Sequence, residues 1–354
     1  MRKNAVDIFS GAGGLSLGAE MAGIKTELAV EYDKYAAQTF IRNHPDAIVL
    51  NQDIKEVQPL QYIKKYPFVL MGGPPCQGFS IANTKTRNLD NPNNVMYKEY
   101  LRFVEELKPT WFVFENVVGF KSFNRGELAK EVEKELESLG YTTNSTVLNA
   151  ADFGVPQSRC RFFIIGNING IKFDFDALER KHPVTVQEAL EGLPSLVNGQ
   201  KLDEVEYTPN VKSDYAIAIQ GNLKKVSQNY VSQNKTHIIE RYKVIKQGQN
   251  WEAAKQEGLL SSYNSTKHTH SGIYKRLEEN KPSVTISNYR KSMLIHPTED
   301  RGLSLREAAR LQSFPDNFHF EGLLSFQQQQ VGNAVPPLLA KAIFREIIKN
   351  QKKE

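Results

Sequence analysis

The chain has 354 residues, of which 40% are hydrophobic, 10% aromatic and 24% charged, which argues against a disordered protein and for a globular one. At this length it can bury a sizeable core in one large domain or two. The formal net charge of +5 is carried by residues 181–354, where 24 Lys and Arg face 18 Asp and Glu. That excess suits either a polyanion-binding surface or a solvated basic face without a partner.

The chain contains two cysteines, Cys76 and Cys160. Two thiols cannot form a disulfide framework, and no third thiol or nearby pair of histidines has metal-ligand spacing. The N-terminus reaches Asp7 before a signal-peptide core could form, and no apolar run approaches the roughly 18 residues of a membrane span. These features predict a cytoplasmic protein without a metal and without a membrane.

Short apolar runs alternate with helical patterns along the first half of the chain, which is typical of parallel βαβ units. The pattern therefore predicts an α/β fold with a doubly wound, mostly parallel sheet. In chain order the expected elements are strand 5–9, helix 15–21, strand 27–33, helix 36–43, strands 47–53 and 68–75, helix 97–107, strand 111–117, helix 126–140 and strand 159–166.

The alternation is lost between about 179 and 300, where polar and basic segments rich in Asn, Gln and Ser replace it. A helical pattern resumes over 304–312, with Ser304 and Glu307 in capping-box spacing, and another helix closes the chain. The loss of the alternation thus predicts a second, smaller and irregular region between about 179 and 300.

The stretch DIFSGAGGLSLG, residues 7–18, has the order strand, glycine-rich turn and helix. Its glycines do not follow the dinucleotide GxGxxG spacing, so it indicates either a nucleotide-like ligand or only a tight turn. Glu31 and Asp53 are expected at the ends of the next two strands. Two carboxylates at one sheet edge favour an adenosine pocket, in which Glu31 binds the ribose hydroxyls.

Cys76 follows the strand that ends in GGPP, at the sheet edge where open α/β folds place their sites. Pro74 and Pro75 stiffen the backbone before the thiol. A lone cysteine is commonly a small buried hydrophobe, but a stiff loop suits a nucleophile better.

Glu115 ends the apolar strand 111–117, where a carboxyl group is costly unless it is paired, caps a turn or has a function, and where burial would favour its protonated form. Arg159 and Arg161 are two residues apart, so both side chains leave the strand on one face while Cys160 points to the other. The two arginines can serve a polar substrate or form an ion pair. Cys160 is expected in the core.

Six segments resemble, in their order, the cytosine-5 DNA methyltransferases of bacterial restriction-modification systems: DIFSGAGGLSLG, GGPPCQGFS, FENV, QSRCRFF, LREAARLQSFPDNF and QQVGNAVPPLLA. The resemblance covers the chain except about 180–285. It implies a catalytic domain of S-adenosylmethionine-binding type over 1–178 and 325–354, and a target-recognition domain over 179–324. Asp300 and Arg301 resemble the scaffold that orients that domain.

The resemblance also implies a mechanism. The Cys76 thiolate adds to C6 of a cytosine flipped out of duplex DNA, which activates C5 for the methyl group. Glu115 neutralises, at N3 of the cytosine, the negative charge that this addition places in the ring. Arg161 holds O2 of the base, with support from Arg159. The polar segment 80–94 is either a loop that closes over the nucleic acid or a surface excursion.

S-adenosylmethionine is the implied methyl donor, with no metal. The residues that the resemblance assigns to its pocket are Phe9, Gly11, Gly14, Glu31, Tyr32, Asp53, Ile54, Pro75, Met96 and Asn333. In the basic region, Lys and Arg would contact phosphates, and His268 and His270 would face DNA or solvent rather than a metal.

The implied partner is double-stranded DNA, bound by a monomer at the nucleoid, with a cognate restriction endonuclease encoded alongside. Two alternatives stay open. One is a tRNA cytosine-5 methyltransferase, although the Cys-Phe-Thr tripeptide of those relatives is absent. The other is a catalytically silent nucleic-acid-binding protein with the same fold.

Overall fold

The computed structural model describes residues 3–75, 96–260 and 269–351. The chain forms two compact units. The first comprises Met1–Phe153, Cys160–Arg180 and Val335–Glu354, and the second comprises Gly154–Arg159 and Lys181–Ala334. The second unit thus continues to Ala334, whereas the sequence division returns to the first domain at 325.

The described part of the first unit is built on a sheet of seven strands in the order β3-β2-β1-β4-β5-β7-β6. The strands are β1 (Asn4–Ile8), β2 (Lys25–Val30), β3 (Ile48–Leu50), β4 (Val69–Gly72), β5 (Trp111–Val117), β6 (Thr142–Asn149) and β7 (Cys160–Asn167). The first five pair in parallel, while β7 is antiparallel to both β5 and β6. The predicted doubly wound, mostly parallel sheet is confirmed.

Six helices accompany this sheet in the described residues: α1 (Gly14–Met21), α2 (Lys34–Asn43), α3 (Met96–Leu107), α4 (Val118–Ser122), α5 (Glu127–Ser138) and, from the end of the chain, α13 (Pro337–Gln351). The central strands β4 and β5 are continuous apolar runs because they are buried on both faces. α13 packs closely on α1: a Cβ atom on Gly18 would lie 2.3 Å from the Cβ of Ala340. The C-terminal segment therefore completes the first unit.

The second unit contains short elements. Its helices are α6 (Val186–Leu190), α7 (Asp214–Gln220), α8 (Thr236–Val244), α9 (Trp251–Gln256), α10 (Tyr289–Ser292), α11 (Leu305–Leu311) and α12 (Leu324–Asn333). Its two-residue strands are β8 (Lys201–Leu202), β9 (Val205–Glu206), β10 (Lys225–Val226) and β11 (Asn229–Tyr230), paired as β8 with β11 and β9 with β10.

Ser304 and Glu307 form the predicted capping box at the start of α11. α12 belongs with these elements because its glutamines bond to them: Gln327 donates to the Phe320 carbonyl, and Gln328 donates to the Ser232 hydroxyl. Among the described helices, none is both long enough and apolar enough to cross a bilayer.

Asp7 is a fully buried carboxyl group inside β1. Its Oδ2 accepts a hydrogen bond from the Ser16 hydroxyl at 2.7 Å, while Oδ1 is buried and has no hydrogen-bond partner among the described residues. Burial raises the pKa of Asp7 to about 7; the Ser16 bond opposes this shift, and the charges of Glu31 and Glu20 add to it. The folded protein therefore favours a protonated Asp7 over a wide pH range.

We expect the folded protein to lose stability as pH rises from about 4, the ordinary value for aspartate, through about 7, because the folded state then has to ionise Asp7 in its buried position. The loss can reach about 4 kcal/mol for a shift of this size. Asp7→Asn keeps an oxygen for Ser16 and cannot ionise, so its stability should decline less. Urea unfolding of both proteins at pH 5 and pH 8 measures the difference. The same decline in both would show that Asp7 titrates at its ordinary value.

Candidate active site

The carboxyl ends of four parallel strands meet at one edge of the sheet. Ile8 of β1 lies opposite both Val30 of β2 and Gly72 of β4, and Gly72 lies opposite Phe114 of β5. The residues that follow these positions are therefore neighbours across the edge. Open α/β sheets bind their ligands at such an edge.

Glu31 links the end of β2 to the glycine-rich turn after β1. Its Oε2 accepts from the Gly11 N–H and its Oε1 from the Asp33 N–H, both at 2.7 Å. Burial raises the pKa of Glu31, and these backbone bonds counteract the shift. The two backbone bonds thus fix the carboxyl group beside the glycine-rich turn.

The turn itself leaves open space. Phe9 and Gly11 have positive φ angles of 57° and 55°, which for a phenylalanine is a strained conformation of a kind that clusters at functional sites. A Cβ atom on Gly11 would meet no atom within 4 Å. Gly14 begins α1 and is buried. The backbone therefore borders a free volume at Gly11 next to the Glu31 carboxyl group.

Tyr32 is 77% exposed directly after Glu31. Asn51 braces this pair of residues, since its side-chain amide donates to the carbonyls of Glu31 and Tyr32 at 2.9 Å each. The sequence prediction missed Asn51, although its place just after β3 is a signal for it. Ile54 is buried close by in the chain.

Asp53 occupies a different setting from the expected one. β3 ends at Leu50, so Asp53 is not a strand end; its side chain caps the short turn at Ile54–Glu56 by accepting from the Lys55 N–H at 3.0 Å. Met96 is the buried first residue of α3, and Pro75 is exposed. Asn333 belongs to the second unit, where it accepts from the Gln329 amide.

Glu115 and Arg161 form an ion pair across β5 and β7, with 3.0 Å between Oε1 and Nε. Both side chains are largely buried. Burial lowers the pKa of Arg161, and the Glu115 carboxylate counteracts that shift. The sequence left open whether Glu115 is paired, caps a turn or has a function; in the structure it is paired with Arg161, whose positive charge stabilises a carboxylate.

The GGPP stretch is shaped around Glu115. A Cβ atom on Gly73 would lie 2.6 Å from Oε2 of Glu115, so any other residue here would displace the Glu115 carboxylate. The side-chain amide of Asn116 donates to the Pro74 carbonyl at 3.2 Å and is buried. The sequence prediction missed both contacts, which hold the backbone that leads towards Cys76. Cys76 and the segment 80–94 lie outside the described residues, as does His268.

Cys160 is exposed, which corrects the prediction that it lies in the core. It is the first residue of β7 and pairs with Asn149, the last residue of β6, so it lies at the margin of the sheet where the core has ended.

Arg159 is fully buried within the second unit, and its guanidinium donates to three backbone carbonyls there. His270 is exposed and its Nδ1 accepts from the Gly272 N–H. Among the described residues no group of three or more His, Cys, Asp and Glu is placed to hold a metal ion.

Comparison with known proteins agrees with this geometry. A family model described as C-5 cytosine-specific DNA methylase matches residues 3–349. The Type II methyltransferase M1.HphI of Haemophilus parahaemolyticus is 36% identical over 349 residues, covering 97% of this chain and 86% of that protein. The Type II methyltransferase M.DdeI of Desulfomicrobium norvegicum is 33% identical over 371 residues, covering 97% and 88%.

A solved structure shows the same fold. A prophage protein of Escherichia coli, provisionally assigned as a DNA modification methyltransferase, has a TM-score of 0.78 and 28% sequence identity, with 99% of each chain covered. The family match spans nearly the whole chain, and relatives above 30% identity cover it from end to end. The chain therefore belongs to the family of C-5 cytosine-specific DNA methylases and is a DNA (cytosine-5)-methyltransferase.

Proposed function

We propose that this protein transfers a methyl group from S-adenosylmethionine to C5 of a cytosine within a specific sequence of duplex DNA. The observation that carries the proposal is the buried Glu115–Arg161 pair, which lies on strands whose ends meet the glycine-rich turn at one sheet edge. An acid and a guanidinium in that position suit the N3 and O2 atoms of a cytosine. The basic second unit and the Type II relatives support DNA as the substrate.

The described residues fit S-adenosylmethionine. The free volume at Gly11 gives backbone access, the Glu31 carboxylate can accept from ribose hydroxyls, and the exposed ring of Tyr32 can stack on adenine. When bound, this molecule supplies an electrophilic methyl group on a sulfonium. The Glu31 carboxylate beside this volume favours a cationic ligand.

Three protein groups then carry the chemistry: Cys76, Glu115 and Arg161. The Cys76 thiolate adds to C6 of a flipped-out cytosine, because the ring face is blocked by stacking inside the duplex. The electrons move to C5, which attacks the methyl carbon of the sulfonium; the bond from that carbon to sulfur breaks, and the sulfur leaves as a neutral thioether. A base such as water then takes the C5 proton, the electrons of that C–H bond restore the C5–C6 double bond, and the thiolate leaves.

Glu115 and Arg161 exchange partners in this proposal. Without DNA, the ion pair holds Glu115 as a carboxylate. When the base enters, Arg161 turns to the O2 atom, so Glu115 loses its compensating charge in a buried position and favours the protonated form. A protonated Glu115 can donate to N3 and neutralise the charge that thiolate addition places in the ring.

Exposed lysines of the second unit, such as Lys224, Lys225 and Lys246, support phosphate contacts with DNA. We further propose that the protein acts as a monomer in the cytoplasm, beside the nucleoid, as the modification enzyme of a restriction-modification system.

Methyl transfer to duplex DNA and to tRNA, measured in parallel, separates the DNA reaction from the tRNA alternative. Activity on tRNA alone would overturn the proposal.

Cys76→Ser should lower methyl transfer by more than about 10³-fold, because a hydroxyl is far weaker than a thiolate as a nucleophile. Cys160→Ser is the matched control: that thiol is exposed, and its replacement should leave the rate unchanged. Duplex DNA carrying 5-fluorocytosine should trap the wild-type protein and the Cys160 variant covalently. Trapping of the Cys76 variant would contradict addition by this thiolate. No trapping of the wild type would favour a silent binding protein.

Glu115→Gln should lower kcat by roughly 10²–10⁴-fold, because the amide cannot transfer a proton to N3. Its affinity for S-adenosylmethionine should stay near that of the wild type, since the ribose acceptor is Glu31. Single-turnover rates and titration calorimetry on the same preparation separate the two effects. A variant that loses donor affinity but keeps its rate would assign Glu115 to the methyl-donor pocket instead.

Affinity for S-adenosylmethionine should weaken as pH falls, because protonation of Glu31 removes the charged acceptor of the ribose hydroxyls. The pKa of Glu31 is raised by burial, so the weakening should begin at a higher pH than for an exposed glutamate. Glu31→Gln should bind about 10-fold more weakly at pH 7.5 and show a flatter pH profile. Dissociation constants between pH 5 and 8 give the test, and parallel profiles for both proteins would exclude this role.

A further inference from the structure

Arg159 is a fully buried guanidinium whose Nη1 and Nη2 atoms donate to backbone carbonyls of the second unit. Nη1 donates to Ile286 at 2.6 Å, and Nη2 donates to Gly332 at 2.8 Å and to Ala334 at 3.0 Å. A buried cation is costly unless hydrogen bonds satisfy it, and the planar fork of arginine can meet several carbonyls at once. The side chain thus joins three points of the backbone.

The backbone at Ile286, the first of these points, is held through both its N–H and its carbonyl group. The Ile286 N–H donates to Oε1 of Gln157 at 2.8 Å, while its carbonyl accepts from Arg159. The backbones also pair: the Ser158 N–H donates to the Ser283 carbonyl at 2.8 Å, and the Ser283 N–H donates to the Pro156 carbonyl at 2.9 Å. Residues 156–159 are therefore fixed as a short strand against 283–286.

The other two points lie at the end of α12. The Gln312 amide donates to the Val331 carbonyl at 2.7 Å, one residue before the Gly332 carbonyl that Arg159 holds. A Cβ atom on Gly332 would lie 2.0 Å from the Ser287 carbonyl oxygen, so this backbone has no room to shift towards 287. The end of α12 is fixed as closely as the short strand.

The chain leaves the second unit at both of these places. It passes into the first unit after Arg159 and again after Ala334. One guanidinium therefore fixes the backbone at two exits. Two residues beyond the first exit is Arg161, which pairs with Glu115 in the first unit.

We propose that Arg159 is a positioning residue for methyl transfer: by fixing the backbone that leads into β7, it sets where the Arg161 guanidinium meets the base, and it does not contact the base. The inference rests on the function proposed above for Arg161. It specifies the support that the family resemblance implies for Arg161: Arg159 acts through hydrogen bonds to the backbone and not on the base.

Arg159→Lys tests the proposal, because lysine keeps the charge but its single nitrogen cannot hold three separate carbonyls. Arg306→Lys is the matched control. Arg306 is also fully buried in the second unit, and its guanidinium donates to the carbonyls of Ser227, Pro315 and Phe318. It lies inside α11, away from both exits in the chain. The two variants should lose similar thermal stability.

Methyl transfer is measured at saturating duplex DNA and S-adenosylmethionine, below the melting temperature of every variant. We expect Arg159→Lys to lower kcat about 10- to 100-fold, the range for a displaced catalytic group, with the KM for S-adenosylmethionine within about twofold. Arg306→Lys should keep kcat within about threefold of the wild type. The double variant with Arg161→Lys should be hardly slower than Arg161→Lys alone, because Arg159 acts through Arg161.

Equal kcat values for Arg159→Lys and Arg306→Lys would overturn the proposal and leave Arg159 a merely structural role. Independent, multiplying losses in the double variant would also overturn it, in favour of direct contact with the substrate. A wild-type protein that methylates no duplex DNA would instead overturn the proposed function itself. If Arg159→Lys does not fold, Gln157→Leu releases the other side of Ile286, and the same comparison applies with a smaller expected loss.

Discussion

The candidate site depends on the ion pair between Glu115 and Arg161, and the ion pair depends on the direction of one strand. β7 is antiparallel to β5, so it begins where β5 ends, and Arg161 stands opposite Val117. The side chains then meet at 3.0 Å. If β7 were parallel to its neighbour, its first residues would lie at the other edge of the sheet, roughly 20 Å away for a strand of this length. The reversed direction of β7 therefore brings a basic segment to an edge otherwise built from the ends of parallel strands.

The second unit gains its order in another way. Its strands are two residues long, so backbone ladders satisfy few of its carbonyl groups. Buried arginines satisfy several of the remaining carbonyls, since Arg306 holds three of them and Arg310 joins two others to Asp316. Burial alone would raise the pKa of Glu307, but Arg301 and His296 lower it to about 2. Irregular loops can thus be rigid, because planar guanidinium groups join distant parts of their backbone.

The sequence predicted the features that depend on local pattern. Alternating apolar runs gave the doubly wound sheet, and the capping box at Ser304 and Glu307 formed as expected. Features that depend on spatial neighbours were missed. β6 has mostly half-buried residues and no clear alternation, so it was not predicted. Without it the reversal of β7 could not be foreseen, and the close approach of Gly73 to the Glu115 carboxylate arises only once the two strands lie side by side.

Periodicity predicts the direction of a side chain and not what surrounds it. The pattern QSRCR predicts only that two arginines at alternate positions of an extended backbone point to the same face. The chain passes from one compact unit to the other between Arg159 and Cys160, so the residues on either side of that passage have different surroundings. Arg159 is enclosed by carbonyls, Cys160 is exposed, and Arg161 meets a carboxylate. A motif that spans a unit boundary therefore combines three different environments within five residues, and only the fold distinguishes them.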